Sequence, residues 1–225
     1  MERRSIAIDG PAGAGKSTLA RALARELGYL YVDTGAIYRT VALQAKRAGA
    51  DPADPAQVTP ILADLDIGMD YGADGVQHMY LSGEDVTDAI RINEISALAS
   101  QVAAQPAVRA FLLDYQRRLA QERDVVMDGR DIGTVVLPNA GVKIFLTADA
   151  RARARRRCLE LEQRGQQADL EQVLADIQRR DQQDRERAVA PLRQAEDAVL
   201  LDTTSLGLQE SLEALVQTVR ERLVP

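Results

Sequence analysis

The chain has 225 residues, of which 46% are hydrophobic and 28% charged, a composition that excludes a disordered or fibrous protein. Its 34 acidic side chains outnumber the 28 basic ones, and the net charge of −6 argues against a broad surface for nucleic acid. Membrane spans need about 18 to 20 apolar residues, and no run reaches that length. Cys158 is the only cysteine, which excludes an internal disulfide and suits a reducing cytoplasm. A monomer is the default expectation.

Short apolar runs alternate with helical stretches along most of the chain, which is the pattern of βαβ units around a parallel sheet. The predicted strands lie at residues 5–8, 29–32, 125–127, 142–146 and 199–201. We therefore predict an α/β protein with a three-layer α/β/α core and a five-stranded parallel sheet.

A phosphate-binding loop is predicted at residues 10–17, GPAGAGKS, between the first strand and a helix over 16–27 that Gly28 ends. Glycines let successive backbone N–H groups point at phosphate oxygens, and the helix adds its positive N-terminus. A glycine-rich turn could simply join strand to helix, but the Lys-Ser pair at the required offset favours nucleotide binding. The predicted ATP-binding residues are Gly10, Pro11, Ala12, Gly13, Ala14, Gly15, Lys16, Ser17 and Thr18, with Ser17 also on Mg²⁺.

Residues 51–91 depart from the alternating pattern. A helix is predicted to begin at Asp54 with Pro55 in its first turn. Two strand-like runs, 65–69 and 76–81, flank the turn YGADG and predict a hairpin, and hence a small inserted subdomain. His78 lies in this hairpin and receives no role.

Helices dominate two later segments. Residues 93–122 are predicted to be helical, with a new helix starting at Pro106. Residues 151–187 are predicted to form two helices broken near Gly165.

The chemistry favoured by these features is phosphoryl transfer to a small molecule. A switch GTPase is disfavoured because no Asn-Lys-x-Asp motif follows a strand. If the acceptor is itself a phosphate, its attacking oxygen is already anionic and no general base is needed. Planar, two-pronged arginine side chains then suit the crowded phosphates. The candidates are Arg39, Arg130, Arg153, Arg156, Arg157, Arg180 and Arg187.

Two of these arginines, together with Asp184, belong to one predicted helix. Arg180, Asp184 and Arg187 stand at i, i+4 and i+7 and so share a helical face that could address one ligand. On spacing alone, a solvated face with surface ion pairs is the more favoured interpretation.

Five segments together resemble the bacterial cytidylate kinase family. They are IDGPAGAGKST near the start, DTGAIYR at 33–39, SQVAAQPAVR at 100–109, DGRDIGTVV at 128–136 and RDQQDRERAVAPL at 180–192. The resemblance spans nearly the whole chain, and it implies transfer of the γ-phosphoryl group of ATP to CMP or dCMP with Mg²⁺.

The same resemblance implies an organisation within one cytidylate kinase unit over 1–225. The core would comprise about 1–35, 124–150 and 188–225. An NMP-binding region with a β insert would cover about 36–123, and a short helical lid about 151–187.

By matching position, the resemblance also implies roles for individual residues. Arg39 and Arg130 would hold the acceptor phosphate. The polar edge of cytosine would meet Ser100, Arg109 and Asp131, and the sugar would face Thr34, Arg180 and Asp184. Arg187, with Arg153 and Arg157 of the lid, would balance charge on the transferred phosphoryl group, together with Lys16.

Several alternatives stay open from sequence. Thr34 stands where many relatives carry serine, which affects the choice between ribose and deoxyribose. Asp128 could support Mg²⁺ from behind its ligands or could orient Arg130. Rival functions are a kinase for UMP, AMP or a non-nucleotide metabolite, and a non-catalytic nucleotide sensor.

Overall fold

A computed structural model describes residues 3–72, 75–163 and 165–223. The strands, in chain order, are β1 Ser5–Asp9, β2 Leu30–Asp33, β3 Ile67–Tyr71, β4 Gln77–Leu81, β5 Glu84–Asp85, β6 Val125–Gly129, β7 Val142–Thr147 and β8 Val199–Asp202. The helices are α1 Lys16–Leu27, α2 Thr34–Arg47, α3 Pro55–Ile61, α4 Asn93–Val102, α5 Pro106–Glu122, α6 Ala150–Gln163, α7 Leu170–Glu186 and α8 Leu208–Leu223.

A five-stranded parallel sheet forms the centre of the molecule, with the strand order β2-β6-β1-β7-β8. Side chains of β1 alternate between its faces. Ile6 and Ile8 pack with apolar residues of α1 and α8, whereas Ala7 packs with those of α2 and α5 on the opposite face. Helices thus cover both faces, and the predicted three-layer α/β/α architecture is confirmed, with all five predicted strands.

The predicted helix boundaries follow local chemistry. Gly28 ends α1 with a φ of 71°, a left-handed conformation that suits glycine. The Asp54 side chain accepts a hydrogen bond from the backbone N–H of Ala56, so it caps α3 ahead of Pro55. Pro106 begins α5 as predicted.

The inserted sheet contains the predicted hairpin, in which β3 and β4 pair antiparallel, and a short third strand, β5, that the sequence did not predict. Residues 73 and 74 of the predicted turn lie outside the described residues. Two side chains fasten this sheet to β2. The Tyr71 hydroxyl donates to the Tyr31 carbonyl at 2.6 Å, and Gln77 Oε1 accepts from the Asp33 N–H at 2.8 Å.

The predicted helical pair after residue 150 is confirmed as α6 and α7, and Gly165 follows α6 with a φ of 73°. Cys158 is buried within α6, as expected for a small apolar residue. Over the described ranges, no helix is both long and apolar enough to cross a bilayer.

The parallel strands place several acidic residues at one edge of the sheet. Asp9 ends β1 opposite Gly129 of β6, and Asp33 ends β2 opposite Asp128. Carboxyl ends of neighbouring parallel strands form the usual ligand-binding edge of such sheets. The loop that follows β1 opens at this edge.

Gly10, the first residue of that loop, has a φ of 151°, and a Cβ built on it would lie 1.9 Å from the Leu146 carbonyl oxygen. Because backbone cannot yield as a flexible side chain does, we predict that Gly10→Ala lowers the free energy of unfolding by on the order of 3 kcal/mol or more. Urea denaturation followed by circular dichroism measures the change.

Gly141→Ala is the matched control, since a Cβ there would meet only the Ser5 carbonyl oxygen at 3.8 Å, an ordinary contact. Equal stability of the two variants would contradict the predicted close approach at Gly10.

Candidate active site

The loop over residues 10–17 is built on positive backbone angles. Gly13 and Gly15 have φ values of 73° and 86°, and Gly15 immediately precedes α1. Glycine reaches this region without the steric penalty of a Cβ. The loop therefore wraps the N-terminus of α1, where unpaired backbone N–H groups favour an anion.

Lys16 is buried beside this loop, and its Nζ donates to the Pro11 carbonyl at 2.7 Å. Burial, followed by the positive charge of Arg130, lowers the pKa of Lys16 to about 7, although Asp128, Asp184 and Asp9 oppose the shift. An anionic ligand placed here would favour the charged ammonium.

Ser17 and Asp128 are in direct contact at the edge of the sheet. Ser17 Oγ donates to Asp128 Oδ2 at 3.0 Å, and the Tyr31 hydroxyl donates to Asp128 Oδ1 at 3.0 Å. Burial, followed by the charge of Asp33, raises the pKa of Asp128 to about 6. The Asp128 carboxylate thus lies against the predicted Mg²⁺ ligand, whereas Arg130 pairs with a different carboxylate.

Arg39, Arg130 and Arg180 lie close enough for their charges to interact, and they are called the arginine cluster below. The charge of Arg130 also acts on Lys16. Arg39 Nη2 pairs with Asp33 at 2.9 Å, and Arg130 Nε pairs with Asp184 at 2.8 Å. Burial and then the charge of Arg130 lower the pKa of Arg180, and Arg39 adds to this effect. Three guanidinium groups, two of them paired with a carboxylate, are therefore gathered at one place in a protein whose net charge is −6.

Two guanidinium groups in the arginine cluster have an unused donor. The Nε–H groups of Arg39 and Arg180 are buried and find no hydrogen-bond partner within the described part of the chain. Buried donors are rarely left unpaired in native proteins. Their position among like charges fits an oxyanion such as a phosphate group.

The structure also tests the interpretation of the predicted helical face that carries Arg180 and Asp184. Arg180 and the buried Asp184 turn inward on α7, while Gln182, Gln183 and Arg185 are exposed. The interpretation of this face as a solvated surface is therefore wrong for Arg180 and Asp184. Burial would raise the pKa of Asp184, but the charge and hydrogen bond of Arg130 lower it below its usual value.

A second polar pocket joins α5, α7 and the loop after β6. Asp131 pairs with Arg109 and, through Oδ1 at 3.0 Å, with Arg187 Nη2. The Arg109 guanidinium carbon lies 5.8 Å from the centre of the Tyr38 ring. The structure thus brings Arg187 to the carboxylate predicted to meet cytosine, together with an aromatic ring that the sequence interpretation missed.

The remaining acceptor-side candidates lie around these two groups. Thr34 is buried at the start of α2, and its hydroxyl donates to the Asp128 carbonyl at 2.7 Å. Ser100 is half-buried in α4. Their predicted contacts with sugar and base stay predictions.

The arginines of α6 occupy different surroundings. Arg157 Nη2 donates to Asn93 Oδ1 at 2.6 Å, and Nη1 pairs with Glu160 at 2.9 Å. Arg153 is 3% exposed and donates hydrogen bonds to groups inside the protein, among them Asp181 and the Ala12 carbonyl. Thr203 accepts from Arg156, which holds the loop after β8.

Asp9 is a site residue that sequence reasoning missed, although it stands directly before the glycine-rich loop. Its Oδ1 and Oδ2 accept from the backbone N–H groups of Ile132 and Gly133, both at 2.7 Å. These bonds fix the one-turn π-helix over Ile132–Val136 that follows Asp131. Asp9 thus sets the position of the loop carrying Arg130 and Asp131.

Burial raises the pKa of Asp9 from 3.8 to about 6, against the opposing effect of the two backbone hydrogen bonds. Ionising Asp9 is therefore harder in the folded state, and its contribution to stability is present below pH 4 and lost as the pH rises to about 6. The free energies of unfolding of the wild type and of Asp9→Asn are compared at each pH. We predict that the wild-type value minus the variant value falls by up to about 3 kcal/mol between pH 4 and 6.5.

Urea titrations at several pH values measure this difference, with the exposed Asp114→Asn on α5 as the control. A difference curve that is flat for Asp9→Asn would contradict the prediction.

Comparison with known proteins gives the family. The cytidylate kinase family model matches residues 6–221. The chain is 52% identical over 217 residues to a cytidylate kinase of Syntrophotalea carbinolica, covering 96% of this chain and 92% of that protein. It is 50% identical over 217 residues to a cytidylate kinase of Geobacter sulfurreducens, covering 96% and 93%.

A solved structure of an uncharacterized protein from Eubacterium ventriosum shares the fold, with a TM-score of 0.51 at 12% identity over 97% of this chain and 99% of that one. The sequence matches extend across the phosphate-binding loop, the arginine cluster and the pocket around Asp131. The chain belongs to the cytidylate kinase family.

Proposed function

We propose that this chain transfers the γ-phosphoryl group of ATP to CMP or dCMP, giving ADP and CDP or dCDP. The observation that carries the proposal is the pair of adjoining sites at one sheet edge. One is a glycine-rich loop with a buried lysine, and the other is the half-buried arginine cluster next to a pocket with a paired carboxylate.

ATP is proposed to lie on residues 10–18, with its β and γ phosphates at Lys16. Burial and the charge of Arg130 lower the pKa of this side chain, although three carboxylates oppose the shift. A triphosphate would supply negative charge next to Lys16. The Lys16 ammonium would then lie close to the phosphate oxygens that become more negative during transfer.

The acceptor phosphate is proposed to bind the arginine cluster. The unused Nε–H donors of Arg39 and Arg180 are suited to its oxygens. Because such an oxygen is already anionic, in-line attack needs no proton acceptor, and the protein contributes position and charge. We include Arg157 and Arg187 in balancing the charge of the transferred group.

The cytosine edge is proposed to contact Arg109, Asp131 and Ser100, with Tyr38 beside them. A carboxylate and a guanidinium together can accept from and donate to the exocyclic amine, ring nitrogen and carbonyl of cytosine. Thr34, Asp184 and Arg180 are proposed to face the sugar.

Mg²⁺ is proposed to be held by Ser17 with Asp128 behind it. The hydroxyl and a carboxylate oxygen already lie 3.0 Å apart, and the raised pKa of Asp128 is what a nearby cation would reverse. The ion would neutralise phosphate charge. We also propose the division into a core, an NMP-binding region over about 36–123 and a lid over about 151–187.

The test of the proposed function is a coupled ADP-release assay with CMP, dCMP, UMP, AMP and a set of non-nucleotide acceptors. We expect CMP and dCMP to give the highest kcat/KM. In Lys16→Ala, kcat should fall by a factor on the order of 10³ or more, because a charge clamp on the phosphates is lost.

Lys46→Ala is the control, since Lys46 forms an exposed pair with Glu94. Nucleotide binding without turnover on any acceptor would favour a sensor, and faster turnover of UMP, AMP or a metabolite would replace the proposed acceptor.

Removing the Arg109 side chain should weaken binding of the acceptor nucleotide but not of ATP. Its guanidinium pairs with Asp131, which is not part of the phosphate-binding loop. We predict that Arg109→Ala raises the KM for CMP on the order of tenfold or more while the KM for ATP changes little. Initial rates with each substrate varied in turn measure the two constants.

Arg118→Ala on the exposed side of α5 is the matched control. Equal increases in both KM values for Arg109→Ala would remove Arg109 from the base pocket.

A further inference from the structure

A buried ion pair joins the two lid helices outside the contacts proposed for the substrates. Arg153 of α6 and Asp181 of α7 are 3% and 4% exposed. Their groups meet side by side, with Nη1 to Oδ1 at 3.1 Å and Nη2 to Oδ2 at 2.6 Å. Such a two-pronged geometry fixes the guanidinium plane.

The guanidinium also reaches the phosphate-binding loop. Arg153 Nη1 donates to the Ala12 carbonyl at 2.8 Å, and Nε donates to the Ala148 carbonyl at 2.8 Å. The next loop residue, Gly13, packs on both helices, since a Cβ there would lie 3.5 Å from Arg153 Cβ and 3.7 Å from Ile177 Cδ1. One side of the loop is therefore held by α6 and α7.

Asp181 also has a particular place on α7. Its neighbour Arg180 belongs to the arginine cluster, and Asp184 pairs with Arg130 of that cluster. The same helix thus reaches the acceptor side through Arg180 and Asp184 and the ATP-binding loop through Asp181. A rigid helix with both contacts fixes the position of one site relative to the other.

We infer that Asp181 is a positioning residue for the donor nucleotide: it orients Arg153, which holds the Ala12 carbonyl and so keeps the phosphate-binding loop in its binding conformation. The inference rests on the proposed use of this loop for ATP. The family resemblance implies that Arg153 acts directly on the transferred phosphoryl group, and the inference replaces that role. The Arg153 guanidinium already donates four hydrogen bonds to groups of the protein.

Stability alone does not account for the pair. Removing two charges from water is costly, and buried ion pairs are often no more stabilising than apolar residues of similar volume. The pair does supply a donor at a fixed point under a loop carbonyl. A loop held in this way loses less conformational freedom when it binds phosphates.

The first test is calorimetric titration of the full-length chain with ADP. In Asp181→Asn the guanidinium loses its charged partner, and we expect ADP binding to weaken by about tenfold or more. If Arg153 instead acted directly on phosphate, its release from Asp181 would leave the affinity unchanged or higher. Asp176→Asn, an exposed carboxylate of the same helix, is the matched control and should bind ADP as the wild type does.

A second variant separates positioning from folding. Asp181→Asn leaves a buried cation without its partner and can unfold the protein, whereas Arg153→Met combined with Asp181→Leu replaces the pair by apolar side chains of similar size. We expect this double variant to fold, to bind ADP about tenfold more weakly, and to exchange the amide hydrogens of residues 10–18 faster than the wild type does.

Wild-type ADP affinity in either folded variant, or unchanged hydrogen exchange in the loop of the double variant, would overturn the inference. These outcomes differ from failure of the proposed function. A wild type that binds ADP but phosphorylates no acceptor would contradict the proposed reaction, and ADP binding and loop exchange would still decide the role of Asp181.

Discussion

The arrangement of the site depends on the contact between carboxylates and cations, all buried or half-buried, at the carboxyl edge of the sheet. Asp9 and Asp33 end strands there, and Asp128 is the second-last residue of β6. Lys16, Arg39 and Arg130 face these carboxylates. Neither set is fully neutralised. Burial and neighbouring cations lower the pKa of Lys16, while burial raises that of Asp128. A nucleotide phosphate and a cation are ligands that would relieve both imbalances.

Different carboxylates hold different arginines of the site in place. Asp33 fixes Arg39, Asp184 fixes Arg130, and Asp131 fixes both Arg109 and Arg187. Because each guanidinium is oriented by a carboxylate of the protein itself, little ordering is left for the moment of binding. Such preorganised charge is the main contribution a protein can make to phosphoryl transfer.

Side-chain contacts also hold the inserted sheet and helices α6 and α7 in place beyond this edge. Gln77 and Tyr71 fasten the insert to β2, next to Asp33 and its partner Arg39. Arg153 and Asp181 fasten α6 and α7 to the phosphate-binding loop. The functional side chains therefore stand on elements that are tied to the core close to the site.

The sequence alone determined the elements whose signals are local. The loop over residues 10–17, the five parallel strands, the helix starts at Asp54 and Pro106 and the end of α1 at Gly28 all follow from spacing, capping and glycine conformation. Only the tertiary structure decided which carboxylate faces which arginine. Asp9 reaches Ile132, Asp181 reaches Arg153, and Arg187 lies at Asp131 because strands and helices distant in the chain meet at one edge. Pairing across such distances depends on sheet order and helix orientation, which no local pattern encodes.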